Sequence, residues 1–174
     1  NLTVLEDAAR QVRRREPGFQ VERIPLDDKK TFDMLAAGRT VGVFQLESAG
    51  ITAVCMGLRP RSIEDITAVI ALYRPGPMES IPRFLACSAH PERITYKHPL
   101  LEPILSVTYG CIVYQEQVIE IFRQLAGFSL GQADMIRRAM SKKKEAVITA
   151  ERAAFVHGDP ERSIPGAVAR GVPE

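Results

Sequence analysis

The 174-residue sequence has little of what usually betrays a chemistry. Its three cysteines, Cys55, Cys87 and Cys111, are odd in number and far apart. That fits a reducing compartment and argues against a disulfide scaffold or a zinc site. The three histidines, His90, His98 and His157, show no ligand or triad spacing to a cysteine or carboxylate. No GxxxxGK[ST] or GxGxxG occurs, so P-loop and dinucleotide-type phosphate sites are disfavoured. Ser48 lies in no nucleophile elbow. The longest apolar-rich stretch, Ile66 to Tyr73, is too short to span a bilayer. The N-terminus has acidic residues and no apolar core of a leader, so no signal peptide is expected. The first residue is Asn, which suggests a chain that starts inside a longer protein. A cytoplasmic location with no membrane partner is the expectation. Net charge is +2, too mild to demand a nucleic-acid partner. No internal repeat is visible.

What is present is helical periodicity. The composition, 45% hydrophobic and 25% charged, suits one globular domain or a large piece of one. Asn1 can cap a helix running to about Arg15. Asp27 can cap one that buries Phe32, Leu35 and Ala36 and stops at Gly38. Ser48 can cap a short helix ended by Gly57, and Ser62 with Asp65 imitates a capping box before Ile63 to Tyr73. Ser80 to Ala89, Pro99 to Leu105, Gln115 to Ala126 and Glu145 to His157 also read as helices. Val41 to Leu46, Ile94 to Tyr96 and Cys111 to Tyr114 read as short strands. Arg74-Pro75-Gly76-Pro77 is a stiff turn, because two prolines fix φ around a glycine. Residues 159 to 174 are rich in proline and glycine and read as a mobile tail. The fold expected is mainly α with a few short strands.

The strongest candidate for chemistry is Ser129 to Lys144, SLGQADMIRRAMSKKK. Ser129 is a good N-cap. Leu130, Ala133, Ile136, Ala139 and Met140 mark one apolar face. Arg137 and Ser141, like Arg138 and Lys142, lie four apart, so basic groups stack along the last turns. Lys142, Lys143 and Lys144 follow. Arginine offers a planar fork for two phosphate oxygens, and lysine a compact charge. Cations near a helix C-terminus are favoured by the helix dipole in any case, and Asp134 can simply pair with Arg138. Taken alone, the stretch fits a solvated basic face better than a phosphate site. Glu47 and Glu116 are conceivable metal ligands, but capping or ion pairing explains each more economically.

Five motifs change that balance. IPLDDKKTFDML (Ile24 to Leu35), GVFQLES (Gly42 to Ser48), ALYRPGPM (Ala71 to Met78), TYGCIVYQEQV (Thr108 to Val118) and GQADMIRRAMSKKK (Gly131 to Lys144) occur in this order. Together they resemble the alpha subunits of bacterial DNA polymerase III, the C-family replicative polymerases, from Asn1 to about His157. The sequence departs from the pattern at Ala49 and Ser141, where Arg and Gly are common. The resemblance implies a fragment: residues 1–40 as the end of the palm and its connection, 41–158 as part of a helical fingers domain, and 159–174 as the tail. It implies no catalytic or metal-binding residue in this chain, with Mg2+ held by palm aspartates outside it. It implies that Arg137, Arg138, Lys142, Lys143 and Arg74 contact the incoming deoxynucleoside triphosphate. Gln45, Ser48, Tyr114, Gln115 and Gln117 would shape the site. The implied partners are the triphosphate, template-primer DNA and, through regions outside this chain, other replicase subunits such as the sliding clamp. The alternatives are a non-enzymatic basic helical module on nucleic-acid backbone and a helical scaffold for a protein partner.

Overall fold

The computed structural model describes residues 2–142 and 144–173. Among them are nine α-helices: α1 (Leu2–Arg13), α2 (Lys29–Ala36), α3 (Ala49–Leu58), α4 (Ile63–Leu72), α5 (Ile81–Ala89), α6 (Glu102–Leu105), α7 (Gln115–Ala126), α8 (Leu130–Ser141) and α9 (Glu145–His157). Short 3-10 turns join several of them. The mainly helical expectation holds. The three segments read as strands do not form strands, and the one β-bridge among the described residues pairs Asp159 with Ile164.

Helix ends follow local side-chain chemistry. Ser129 Oγ accepts from Gln132 N at 3.3 Å while Gln132 Oε1 accepts from Ser129 N at 2.8 Å, a reciprocal capping box. Ser62 Oγ accepts from Asp65 N at 3.2 Å, and Asp65 Oδ2 accepts from Arg61 N at 2.9 Å. The cap of α2 is Asp28, not Asp27: Asp28 Oδ2 accepts from Thr31 N at 3.0 Å. Ser48 sits at the N-cap of α3 without a side-chain cap bond, and α3 passes Gly57 to end at Arg59 in left-handed conformation. The expected cap Asn1 lies outside the described residues.

Two bodies of buried apolar side chains organise the chain. The first joins α2, α3, α4 and α5 through Leu35, Val54, Leu58, Val69, Leu72 and Phe84, and takes in Cys111 and Val113. The second joins α7, α8 and α9 through Ala126, Phe128, Ala133, Ile136 and Ala154. Phe122 stacks edge-on against Phe128 and Phe155 at 5.2 and 4.9 Å, contacts that contribute about 0.5–1.5 kcal/mol each beyond burial. A satellite of Ile104, Leu105 and Leu125 ties α6 to α7.

The segment read as a mobile tail is packed here. Ile164 and Ala167 are buried in the second core. Gly166 N donates to Ala126 O at 3.0 Å and Ala167 N to Phe155 O at 2.8 Å. Gly166 has φ +86°, and a Cβ there would strike the backbone at Gly158 and His157. Only glycine lets the returning chain lie this close to the end of α9.

Val41 to Leu46 is a pair of turns instead of a strand. Gly42 and Gln45 take φ of +76° and +65°. Val41 and Phe44 are exposed while Leu46 is buried. Ile94 to Tyr96 is irregular and unpaired.

Candidate functional site

Three of the motifs meet at one cleft of about 510 Å³. Its walls are the turn Pro75-Gly76-Pro77 with Ser80, the segment Ile112 to Gln115 with Val118, and the α8 side chains Arg137, Met140 and Ser141.

The turn is stiff for the reason its sequence gives. Met78 N donates to Arg74 O at 3.1 Å, closing the loop. Gly76 takes φ +100°, a conformation that L side chains rarely adopt.

The second wall depends on one buried amide. Gln117 is 5% exposed. Its Oε1 accepts from Val113 N at 2.8 Å and Tyr114 N at 2.9 Å. Its Nε2 donates to Ile104 O at 3.1 Å and Thr108 Oγ1 at 2.7 Å. Both acceptor sites and both donors are thus used. Cys111 to Tyr114 has the alternating burial of a strand, with Cys111 and Val113 inward and Ile112 outward. The partner of its Val113 and Tyr114 N–H groups is this side chain, while Cys111 N donates to Thr108 O at 3.0 Å. Gln117 therefore fixes the wall from behind and does not face the cleft. Tyr114 does line it. Burial, with Glu64 and Asp65 nearby, pushes its phenol above the ordinary value, so it stays protonated and able to donate.

On α8, Arg137 is braced twice. Its Nε donates to Asp134 Oδ1 at 2.7 Å and its Nη1 to Gln115 Oε1 at 2.7 Å. Gln115 Nε2 reaches Ser141 Oγ at 3.4 Å. Nη2 bonds no described residue, and the Arg137 side chain, 25% exposed, lines the cleft. Asp134 also takes Arg138 Nε at 2.8 Å. The Arg137 hydrogen bond, and then the charges of both arginines, hold the Asp134 carboxyl below its ordinary value, against the opposing effect of burial.

The remaining expected site residues are placed as follows. The Arg138 side chain is 68% exposed and lies at the rim, outside the cleft lining. The pairing of Asp134 with Arg138 is as the spacing suggests. Lys142 caps α8 and is exposed. Lys143 lies outside the described residues. Arg74 is exposed and forms no ion pair with a described residue. Gln45 and Ser48 are exposed, at the turn before α3, and do not line the cleft. Leu130 and Met140, expected on the apolar face of α8, are exposed, and Met140 forms part of the cleft wall. Glu47 accepts from Gly42 N at 3.0 Å, a turn-closing role. Among the described residues no group of three His, Cys, Asp or Glu side chains is placed to hold a metal ion. None of the described helices is long and apolar enough to cross a membrane.

Sequence reasoning missed Asp134 as a brace for Arg137, although the spacing of three carries the signal. It also missed the Arg137–Gln115 bond, which joins residues too far apart for any local pattern.

Residues 1–162 match the model of a family described as the bacterial DNA polymerase III alpha subunit finger domain. The chain is 53% identical over 159 residues to the DNA polymerase III subunit alpha of Halalkalibacterium halodurans, covering 91% of this chain and 14% of that protein. It is 50% identical over 159 residues to the subunit of the same name from Staphylococcus epidermidis, covering 91% and 15%. For Staphylococcus aureus the figures are 48% over 160 residues, 91% and 15%. The chain thus spans about 15% of the length of the curated relatives it matches.

Proposed function

The chain belongs to the family of bacterial DNA polymerase III alpha subunit finger domains, and from that premise we propose that it is the nucleotide-contacting part of a replicative DNA-directed DNA polymerase. The cleft between the Pro75–Pro77 turn and α8 takes the triphosphate of the incoming deoxynucleotide. The observation that carries this reading is Arg137, braced on Asp134 and Gln115 and lining the cleft.

A guanidinium fixed at two of its nitrogens does not have to reorganise when an anion arrives. Its unused N–H groups are then aimed before charge accumulates on the leaving pyrophosphate. Each charge-assisted bond contributes about 1.5–3 kcal/mol. Tyr114 offers a phenol from the facing wall, while the Ser141 hydroxyl donates to Arg137 O at 3.1 Å and helps to hold α8. Arg138, Lys142 and Arg74 add positive potential around the cleft instead of direct bonds at its floor. Gln117 keeps the wall in place, and Gln45 and Ser48 act from outside it. Residues 1–40 lead toward the palm, and the helices after residue 40 form the fingers proper. Mg2+ is held by residues outside this chain. Template-primer DNA lies along the same face, other replicase subunits engage regions outside the chain, and the whole acts in the cytoplasm.

Single-turnover incorporation by a polymerase carrying this chain tests the reading. Arg137→Ala lowers incorporation efficiency by tenfold or more, at about 1.4 kcal/mol per decade. Arg138→Ala, exposed and screened, lowers it by less than about fivefold. Wild-type efficiency in Arg137→Ala would reject the assignment.

A further inference from the structure

A second hollow of about 330 Å³ adjoins the cleft, with Ser80, Arg83, Thr95, Tyr96, Lys97 and Cys111 among its walls. Ser80 and Ile112 line both spaces, so the two meet there. Among the described residues, no aspartate or glutamate lines the hollow.

The cations of the hollow are not neutralised. Arg83 Nη2 donates to Thr95 O at 3.0 Å, which steadies the guanidinium and leaves its charge. A Cβ at Gly110 would stand 3.7 Å from this Nη2, so the guanidinium lies against the turn that leads into Ile112. Neither Arg83 nor Lys97 pairs with a carboxylate among the described residues, and both are exposed. On α8, by contrast, Arg137 and Arg138 share the Asp134 carboxylate. Burial, with Glu102 and Cys87 nearby, pushes the Tyr96 phenol above its ordinary value, so it remains a donor. The Ser80 hydroxyl bonds no described residue. A polyanion that leaves the braced arginine therefore meets, across Ser80 and Ile112, two undischarged cations and two free hydroxyl donors.

We propose that this hollow is a binding site for inorganic pyrophosphate, the leaving group of nucleotide incorporation, held by Arg83 and Lys97 with the Ser80 and Tyr96 hydroxyls as further donors. The source of that anion rests on the polymerase reading above. In that reaction the primer hydroxyl attacks the α-phosphorus of the triphosphate. A new oxygen–phosphorus bond forms, and the bond from the α-phosphorus to the α,β-bridging oxygen breaks. Pyrophosphate leaves with that electron pair, and the hydroxyl proton passes to solvent. The product has two phosphoryl groups and several negative charges, so two cations with no acid between them match it. Arginine supplies a planar fork and lysine a compact charge, one for each phosphoryl group. Transfer of the anion across the partition clears Arg137 for the next triphosphate. Leu101 and Leu105 add an apolar side that pyrophosphate does not use and a nucleoside diphosphate would, and the experiment separates these two sources of a diphosphate group.

Equilibrium dialysis of radiolabelled pyrophosphate tests the site in a polymerase carrying this chain. Saturating primer–template and a complementary, non-hydrolysable deoxynucleoside triphosphate fill the first cleft throughout. The parent still binds pyrophosphate, and Arg83→Gln/Lys97→Gln weakens that binding at least about tenfold. The affinity of the double variant for the triphosphate analogue stays within about twofold of the parent's. If the double variant does not fold, Lys97→Gln alone, exposed and unpaired, must weaken pyrophosphate at least about threefold. No pyrophosphate bound beside the analogue and primer–template overturns the proposal, and so does equal binding by the parent and a folded variant. Sulfate that displaces the label as well as unlabelled pyrophosphate does would reduce the hollow to nonspecific anion binding. A deoxynucleoside diphosphate that binds there about tenfold tighter than pyrophosphate would give it to a nucleotide instead. Either result overturns the proposal. Arg137→Ala separates the site from the reading it rests on. If that variant keeps the parent's analogue affinity while the double variant still loses pyrophosphate, the nucleotide reading falls and the pyrophosphate site stands. If it loses the analogue while parent and double variant bind pyrophosphate equally, the nucleotide reading stands and the pyrophosphate site falls.

Discussion

Replacing Gln117 by methionine keeps the length of the side chain and removes every polar atom from a buried site. Four partners lose their bonds: Val113 N, Tyr114 N, Ile104 O and Thr108 Oγ1. Thr108 still donates to the Cys111 carbonyl at 2.6 Å, and Tyr114 is only half-buried, so water can reach its amide. Val113 N and Ile104 O have neither recourse. An orphaned buried group costs about 1–3 kcal/mol, so the two together predict a loss of about 2–6 kcal/mol. That is a large fraction of the roughly 5–15 kcal/mol that holds a domain together. For a chain of this size each kcal/mol moves the midpoint by about 2–4 °C. Thermal unfolding followed by circular dichroism is therefore expected to show a drop of at least about 4 °C. Thr108→Val, combined with Gln117→Met in a double-mutant cycle, should show a coupling of at least about 0.5 kcal/mol, because the two side chains share a bond. A Gln117→Met protein that melts within about 2 °C of the parent would refute the reasoning. It would mean that the backbone from 111 to 115 is held by something other than this amide.

Two further outcomes follow from other parts of the structure. The Asp134 carboxyl is held below its ordinary value of 3.8 in the folded chain, so its contribution is complete above 3.8 and is lost as pH falls through the lowered value. Thermal midpoints of the parent and Asp134→Asn should therefore differ at neutral pH and converge in acid; parallel profiles down to acid pH would contradict the pairing. Gly166→Ala places a Cβ against the backbone of Gly158 and 2.6 Å from the His157 carbonyl carbon, at φ +86°. This should cost at least about 2 kcal/mol and expose the chain around Arg162 and Arg170 to trypsin; a digestion pattern identical to the parent's would show that the packing there is not glycine-dependent.

The helices were legible because their signals are local. Ser129 with Gln132 and Ser62 with Asp65 lie three residues apart, and the burial of Ala133, Ile136 and Ala139 repeats every three. The failures arose where the deciding partner is distant or where conformation overrides pattern. Val41 to Leu46 is apolar, yet Val43 and Leu46 turn inward three apart, which is turn geometry and not a period of two. Cys111 to Tyr114 does alternate, but the N–H groups of Val113 and Tyr114 are claimed by an amide from the next helix, which alternation cannot reveal. Residues 159–173 lack periodicity because they pack through backbone contacts at Gly158 and Gly166. For the site, charge clustering identified the right helix, and the motifs named the turn and the segment that face it. Which arginine faces the cleft was not readable, since Arg137 and Arg138 are adjacent and both reach Asp134. The choice depends on Gln115, 22 residues away.

Among the described residues, no side chain belongs both to the core of α2–α5 and to that of α7–α9. The cleft lies on the seam between them, with the proline turn on one side and Arg137 on the other. A small rotation of one half against the other would change the aperture between these two walls while leaving each interior intact. The short run from Cys111 to Gln115 crosses that seam, with Cys111 and Val113 in the first core and Gln115 opening α7 of the other half, where it is bonded to Arg137.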